Sequence, residues 1–415
     1  MVPHHTISAA SFDLIGRNEV VVETKRCPQC KTIYGPNFRN RDGQLINTTK
    51  ISDMALDEVL FINMKVGFTI RFLKYHASLF FRCCSTGRGI RFAYEQTFFD
   101  NLADETPPLH TKFRELYYDG LFYYMVGLEW EVLGKHTSIV IGKKIDESTL
   151  MTYDAHCHEH LLPPLRPKKV SGVVADGHHK VLAKTCGNQT PTNKNRVGRP
   201  RDDGNQKRGH GHGWFMVVDP VSGRILGATS QDEPEGNKVV TQSLLKILPQ
   251  YPNIDLLVMD RACHYMPSAV KTPGLEQLKY FSLDRFHSYG HTKNCPCNPR
   301  SKTRLKKRIK NLNTSIAEQT FSWFRGYSKV LNDMRPLRHR FAVLLFCKQH
   351  NDLVACGDTY HLNQYKVYKG KGATKPYACN KVKGKKTMKP GSMKVMKAMK
   401  VMKSMKVMKV MKSMK

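Results

Sequence analysis

Two short apolar runs, Val173-Val174-Ala175 and Leu257-Val258-Met259, each stop at an aspartate, Asp176 and Asp260, 84 residues apart. Runs this short and apolar at every position fit strands buried on both faces, as in the middle of a sheet covered by helices. The C-terminal end of such a strand is where an open α/β sheet presents chemistry to solvent. Asp also caps turns at ordinary strand ends, so either acid alone is a weak sign. Together they predict neighbouring strands of one sheet.

What surrounds the pair supports a sheet of mixed direction. Trp214–Val218 and Arg224–Thr229 flank Asp219-Pro220-Val221-Ser222-Gly223, a hairpin signature. Val240, Leu244 and Leu248 recur at helical spacing until Pro249 stops them. Leu278–Leu283 reads as a further strand, Ser315–Met334 as an amphipathic helix and Arg340–Ala355 as another. An antiparallel meander extended through crossover helices is the RNase H-like arrangement. The expected fold class is therefore α/β, with an RNase H-like mixed-sheet catalytic domain over 170–355. A basic, Asn/Gly-rich stretch at 187–211 interrupts it as an inserted loop.

Ahead of that domain, Asp53 opens a pattern with Leu60, Met64 and Phe68 on one helical stripe, continued by Phe113, Leu116, Tyr117 and Leu121. It predicts an α-helical domain over 53–160, after a cysteine-containing segment over 1–52. Residues 356–415 are expected to be a disordered Lys/Met-rich tail, in which Met-Lys-x repeats every three residues and so fits neither helix nor strand.

The chain carries Lys+Arg 67 against Asp+Glu 34, a net charge of +33. The tail from Lys381 holds 13 Lys and no acid, which leaves +20 on residues 1–380. A body basic in its own right points to a polyanionic partner, nucleic acid above all, against the plainer reading of a solubilising surface. Hydrophobic content of 40% with 19 Phe and 17 Tyr excludes disorder of the whole chain. The longest apolar runs, such as Phe341–Cys347, fall far short of the ~20 residues of a membrane span. Met1–Val20 has no apolar leader core. A soluble intracellular protein without a membrane partner is expected.

Two carboxylates on adjacent strand ends repel unless cations bridge them, and hard ions such as Mg²⁺ take oxygen ligands. A third acid is available in Glu318, 58 residues after Asp260 at the start of the Ser315 helix. The competing reading is a capping box, Ser315-x-x-Glu318, in which Glu318 only bonds the backbone of Ser315. Asp154, Glu159 and Asp219 are rivals for the place of Asp176.

Val258-Met259-Asp260-Arg261-Ala262-Cys263-His264 resembles the D-x-A-C strand of KDZ-type transposases. Asp284-Arg285-Phe286-His287, then His291, Cys295-Pro296-Cys297 and Asn313-Thr314-Ser315-Ile316-Ala317-Glu318-Gln319-Thr320-Phe321-Ser322-Trp323, resemble the distal part of that group. Cys27-Pro28-Gln29-Cys30 with Tyr34 resembles the cysteine clusters that accompany it. The resemblance implies a DDE-type transposase with a catalytic triad of Asp176, Asp260 and Glu318. It implies two Mg²⁺ (or Mn²⁺) ions, DNA as partner, a homo-oligomer and a nuclear location. The implied reaction is in-line phosphodiester displacement by water or a 3′-hydroxyl. The chain departs from the family by keeping only Cys186 in the insertion, where relatives carry a fuller Cys/His cluster. The alternative is a catalytically inactive, domesticated derivative that binds DNA or chromatin through zinc and basic elements.

His287, His291, Cys295 and Cys297 supply four ligands within eleven residues, sufficient for tetrahedral Zn²⁺, against the reading of a polar loop. Cys27 and Cys30 are half of a second zinc site, with Cys83 or Cys84 as candidate partners. His156-Cys157-His158-Glu159-His160 alternates like a cluster but is read as an exposed loop, and Cys347 and Cys356 as core. Two basic elements are candidate DNA contacts. Gly198-Arg199-Pro200-Arg201 resembles an AT-hook core that lays Arg199 and Arg201 into the minor groove. Arg304, Lys306, Lys307, Arg308 and Lys310 precede the Glu318 helix, where they could hold phosphates near the metals or act as a nuclear-localisation patch.

Overall fold

A computed structural model describes residues 1–99, 107–136, 139–141, 147–163, 169–178, 181, 213–231, 236–332 and 334–357. The N-terminal part opens in strands, which corrects the helical reading from Asp53. They are β1 (Val2–Asp13), β2 (Gly16–Arg26), β3 (Ile33–Tyr34), β4 (Phe38–Arg41), β5 (Gln44–Asn47), β6 (Val59–Phe61) and β7 (Val66–Thr69). They form one seven-stranded sheet in the order β5-β4-β3-β2-β1-β7-β6. The misread stripe has a simple cause. Leu60 and Phe68 are cross-strand partners in the β6–β7 hairpin, and Met64 lies in the turn between them. A spacing of four on either side of a turn serves a hairpin as well as a helix.

Helix α1 (Ile70–Arg82) starts only after Thr69, whose Oγ1 accepts from the Phe72 amide at 3.2 Å. It is followed by α2 (Gly87–Phe99), α3 (Pro107–Val132) and α4 (Glu147–His156). The His156–His160 segment is not an exposed loop, because it ends α4 and continues as a π-helical turn over Cys157–Leu161. His158 is buried there, its Nδ1 2.8 Å from the Asp154 carbonyl and its Nε2 accepting from the Ala228 amide at 3.2 Å.

The second sheet holds the Asp-ended runs. Its elements are β8 (Gly172–His178), β9 (Trp214–Val218), β10 (Ile225–Ser230), α5 (Asn237–Ile247), β11 (Leu256–Val258), α6 (Ala262–Ala269) and β12 (Tyr280–Ser282). Beyond them come α7 (Thr303–Arg308), α8 (Ile316–Phe324), α9 (Ser328–Leu331) and α10 (Pro336–Cys356). Strand order is β10-β9-β8-β11-β12. The first three strands pair antiparallel as a meander, and β8, β11 and β12 run parallel. Gly223, at φ 78°, takes the left-handed position that closes the β9–β10 turn.

Alternation along these strands splits the core in two. Val173, Ala175, Phe215, Val217 and Leu257 pack with α5 and α6. Val174, Met216, Val218, Ile225 and Val258 face α8 and α10, in a core continuous with the N-terminal sheet and its helices. Two buried polar contacts tie α10 to the sheet. Trp214 Nε1 donates to His339 Nε2 at 2.9 Å, and Asn351 bonds both the amide and the carbonyl of Ile225 at 2.8 and 2.7 Å. Of the two cysteines read as core, Cys347 is buried and Cys356 is exposed. The single helix expected over Ser315–Met334 is broken by a 3₁₀ turn at Arg325–Tyr327, where the Tyr327 hydroxyl donates to the Phe81 carbonyl at 2.7 Å. Among the described residues no helix is long and apolar enough to cross a membrane.

Candidate active site

The register of the parallel strands sets the acids in a row. Val174, Val258 and Ser282 are mutual partners across β8, β11 and β12. Two residues further along each chain stand Asp176, Asp260 and Asp284. Asp260 and Asp284 thus stand just past the ends of β11 and β12, while Asp176 lies within β8, paired with Met216, where its Oδ1 accepts from the Gly177 amide at 2.8 Å. Asp176 shares the face of Val174, which is the face that α8 covers. His178, on the same face, stacks on Phe321 of α8 with ring centroids 4.7 Å apart.

Helix α8 brings Glu318 to this row. Ser315 makes no capping bond through its side chain, and its amide donates to Asn313 Oδ1 at 3.3 Å, so the capping-box reading does not hold. The Glu318 carboxylate lies 3.8 Å from His287 Nδ1 instead. Burial pushes its pKa up, the charges of Asp284 and Asp260 add to that, and His287 opposes them. Asp260 contributes an oxygen, Oδ1, that is buried with no hydrogen-bond partner. Asp284 is 5% exposed and accepts through Oδ1 from the amides of Phe286 and His287 at 2.7 and 3.0 Å. Its other oxygen holds the imidazole of His287. Burial works against charging His287, but the hydrogen bond to Asp284 and the charges of Asp284, Asp260 and Glu318 outweigh it and raise its pKa.

The rivals of Asp176 are occupied elsewhere. Asp219 caps the hairpin turn, accepting from the amides of Val221 and Ser222 at 3.0 and 3.2 Å. Asp154 pairs with Lys246, and Glu159 lies 3.7 Å from His160. Asp284 is a site residue that sequence reasoning missed, and its signal is weaker than that of its neighbours: the strand-like run Leu278–Leu283 ahead of it is interrupted by Lys279 and Ser282.

A second cluster adjoins the first. Cys263 of α6, His291 and Cys295 bring one ligand atom each within 4.8 Å of one another, an arrangement that could hold a metal such as zinc. Cys263 Sγ is 3.7 Å from His291 Nδ1. Of the ligand set expected from sequence, this group contains His291 and Cys295, and it adds Cys263. His287 binds the carboxylate of Asp284 instead, and Cys297, fully buried with its thiol 3.9 Å from Met266 Sδ, lies beside the cluster: burial first, then the neighbouring Cys295 and Cys263, push its pKa up to about 12. Cys263 had been read as part of a strand, yet it lies in the first turn of α6 and faces the loop. Asn298, 1% exposed, fixes that loop by donating to the carbonyls of Ser288, His291 and Thr292 at 3.2, 3.3 and 3.1 Å.

Cys27 and Cys30 sit in a tight turn between β2 and β3. The Cys27 amide donates to Thr32 O at 2.9 Å, and Lys31 adopts φ 59°. Hydrogen bonds from Thr32 and Cys27 lower the Cys30 thiol to about 7. Neither Cys83 nor Cys84 completes this pair: both end α1, where Cys84 Sγ faces Gly326. Among the described residues, Cys263, His291 and Cys295 are the one group of three or more.

The basic run before α8 begins at the other end of the sheet, which takes Arg304 and Arg308 out of the expected phosphate clamp beside the acids, and ends against Arg285, which donates to the carbonyls of Ile309 and Lys310 at 2.6 and 2.8 Å. Arg308 binds the carboxylate of Asp255 and, at 2.8 Å, the carbonyl of Ser171, the residues that precede β11 and β8. Arg304 stacks 4.6 Å over the ring of Tyr280, the first residue of β12. Lys306, Lys307 and Lys310 are exposed. Arg199, Arg201, Cys186 and the Met-Lys tail lie outside the described residues. Comparison of the chain with protein-family models, with curated proteins and with solved structures gives no match.

Proposed function

We propose that the protein is a DDE-type transposase that cuts and joins DNA strands at the Asp176, Asp260 and Glu318 carboxylates. The observation that carries this reading is the placement of Asp176, Asp260 and Asp284 on three adjacent strands, under a helix that turns Glu318 toward them. The strand order β10-β9-β8-β11-β12, a meander extended through α5 and α6, supports the RNase H-like expectation. The family resemblance of the Asp260 and Glu318 segments supports it independently of the geometry. The basic body supports DNA as the partner, and the proposal retains a homo-oligomer in the nucleus.

The implied divalent ions suit the chemistry of these residues, whose donors are hard carboxylate oxygens, one of them, Asp260 Oδ1, buried without a partner; among the described residues their oxygens do not converge within 4.8 Å as the Cys263, His291 and Cys295 atoms do. Asp176, Asp260 and Glu318 would hold them, and Asp284, added by the structure, stands past the end of the strand next to that of Asp260. Such ions supply charge for the attacking and leaving oxygens of a phosphodiester displacement. The protein's own share is positioning. The sheet fixes two acids on adjacent strands, α8 brings in a third, and Asp284 holds the turn that carries His287.

The test is nicking of a duplex oligonucleotide. Wild type is expected to nick with Mg²⁺ or Mn²⁺, and Asp260→Asn to fall by about a hundredfold or more. Equal rates for the two proteins would sink the proposal. One observation favours the inactive DNA-binding alternative: His287 already answers both Asp284 and Glu318 with a protein cation. DNA binding by wild type and Asp260→Asn alike, with nicking by neither, selects that alternative.

A further inference from the structure

Immediately after Asp284, the chain places two aromatic rings in water. Phe286 and Tyr289 are 73% and 72% exposed, the two most exposed aromatic side chains among the described residues. Apolar rings normally retreat from solvent, and here the backbone prevents it. Asp284 Oδ1 accepts from the amides of Phe286 and His287, the Ser288 amide donates to Asp284 O at 3.1 Å, and the Ser288 hydroxyl donates to Arg285 O at 2.7 Å. Ser288 is fully buried and Asn298 grips its carbonyl, so the turn is anchored from below. The same Asp284 carboxylate that borders Glu318 therefore sets the rings outward, on either side of His287.

The charge of this stretch selects the occupant. Residues 285–302, before the basic run that Arg304 and Arg308 fix at the strand starts, contain four Lys and Arg (Arg285, Lys293, Arg300 and Lys302) and no Asp or Glu. The guanidinium of Arg300, itself exposed, lies 4.1 Å from the centroid of the Tyr289 ring. Exposed aromatics within a cationic stretch are how proteins hold an unpaired strand: backbone phosphates meet the cations and bases stack on the rings. A base taken out of the duplex also frees the sugar-phosphate next to it for attack.

We infer that Phe286 and Tyr289 are a stacking platform for an unpaired nucleobase flanking the phosphodiester that the carboxylate row addresses. The inference deepens the strand-cutting proposal and rests on it for the identity of that phosphodiester. A protein partner on the same rings is the competing occupant. The cationic stretch, without a single acid, favours the nucleic acid.

The experiment uses the full chain and duplexes carrying 2-aminopurine, either unpaired at one position or fully paired, in buffer without divalent ions. Wild type is expected to quench the unpaired probe by stacking. Phe286→Ala and Tyr289→Ala should each weaken binding of the unpaired probe about tenfold and remove quenching, with the paired duplex bound within about twofold. Phe286→Trp and Tyr289→Trp should preserve both signals. Unchanged binding in the alanine variants, or equal losses on both probes, overturns the inference, as does loss of self-association in place of probe binding. The quench is read also in Asp260→Asn, which keeps the two failures apart. Nicking by that variant at the wild-type rate removes the cutting proposal whatever the quench, and an absent quench beside normal nicking removes only the platform.

Discussion

The two ends of the second sheet are built on opposite principles. At the N-terminal end of the parallel strands one acid, Asp255, is neutralised by Arg308, which also satisfies Ser171, while Arg304 covers Tyr280. At the C-terminal end Asp260, Asp284 and Glu318 gather around one cation, His287, with Asp176 on the neighbouring strand, and Asp260 keeps a buried oxygen unpartnered. Gathering like charges in this way costs stability, since each carboxylate raises the energy of the next. A fold keeps such an arrangement where it binds something, and neutralises its acids where they only close an edge.

Exchanging the two ends by mutation is the sharpest way to break the comparison. Asp260→Asn is expected to abolish nicking by about a hundredfold or more while leaving the thermal midpoint unchanged or higher. Asp255→Asn should leave the rate per folded molecule intact. If both variants lose activity equally, the row has no privileged end.

The cysteine cluster offers the next largest effect. Cys295→Ser should lose bound zinc in elemental analysis of the purified protein, whereas Cys297→Ser and His287→Ala should retain it. Loss of zinc in Cys297→Ser and His287→Ala as well would restore the ligand set read from sequence, and retention by Cys295→Ser would remove both sets. Because Cys297 is fully buried, its replacement by Ser should cost about 1–2 kcal/mol of stability.

Acid probes the layers between the ends. Burial lowers the pKa of His76, His339 and His350 to about 4 each. The unfolded chain then binds more protons than the folded one between about pH 6.5 and 4, so stability present above that window is lost as pH falls through it. Each group contributes up to about 1.4 kcal/mol per pH unit there. Replacing His339 by Gln should flatten the slope of unfolding free energy against pH, measured by denaturant titration; an unchanged slope means that His339 titrates normally. The smallest effect is expected at the N-terminal end itself. Arg308→Ala should cost about 1 kcal/mol, its ion pair being partly exposed, and should lower DNA affinity no more than removal of one remote charge. A large and specific loss of DNA binding would return the basic run to the site.

Much of the second sheet was legible because its signals are local. The Asp219–Gly223 turn, the Val240/Leu244/Leu248 stripe and the two apolar runs each depend on residues close in sequence, and all form the expected elements, except that β8 runs past Asp176 to His178. Residues 53–69 depart from the helical expectation because a hairpin brings Leu60 and Phe68 together at a spacing that a helix also uses, and residues 1–52 carry strands where no element was assigned. Glu318 was ambiguous for the opposite reason: one motif served two hydrogen-bond partners, and only the tertiary position of Asp284 and His287 selects between them.

The sequence alone determined that apolar strands would carry acids at or near their C-terminal ends and that cysteine and histidine would gather near one of them, since both follow from residue type and short spacing. Tertiary structure decided the partnerships. Register between β11 and β12 put Asp284 beside Asp260, the turn after it gave His287 to the carboxylates, and the start of α6 delivered Cys263 to His291 and Cys295. It also sent Arg304 and Arg308 to the far end of the sheet, because α7 lies where they reach the strand starts. Side-chain chemistry is written residue by residue, whereas which charge meets which depends on strand register and helix placement, and those are set by the packing of the whole core.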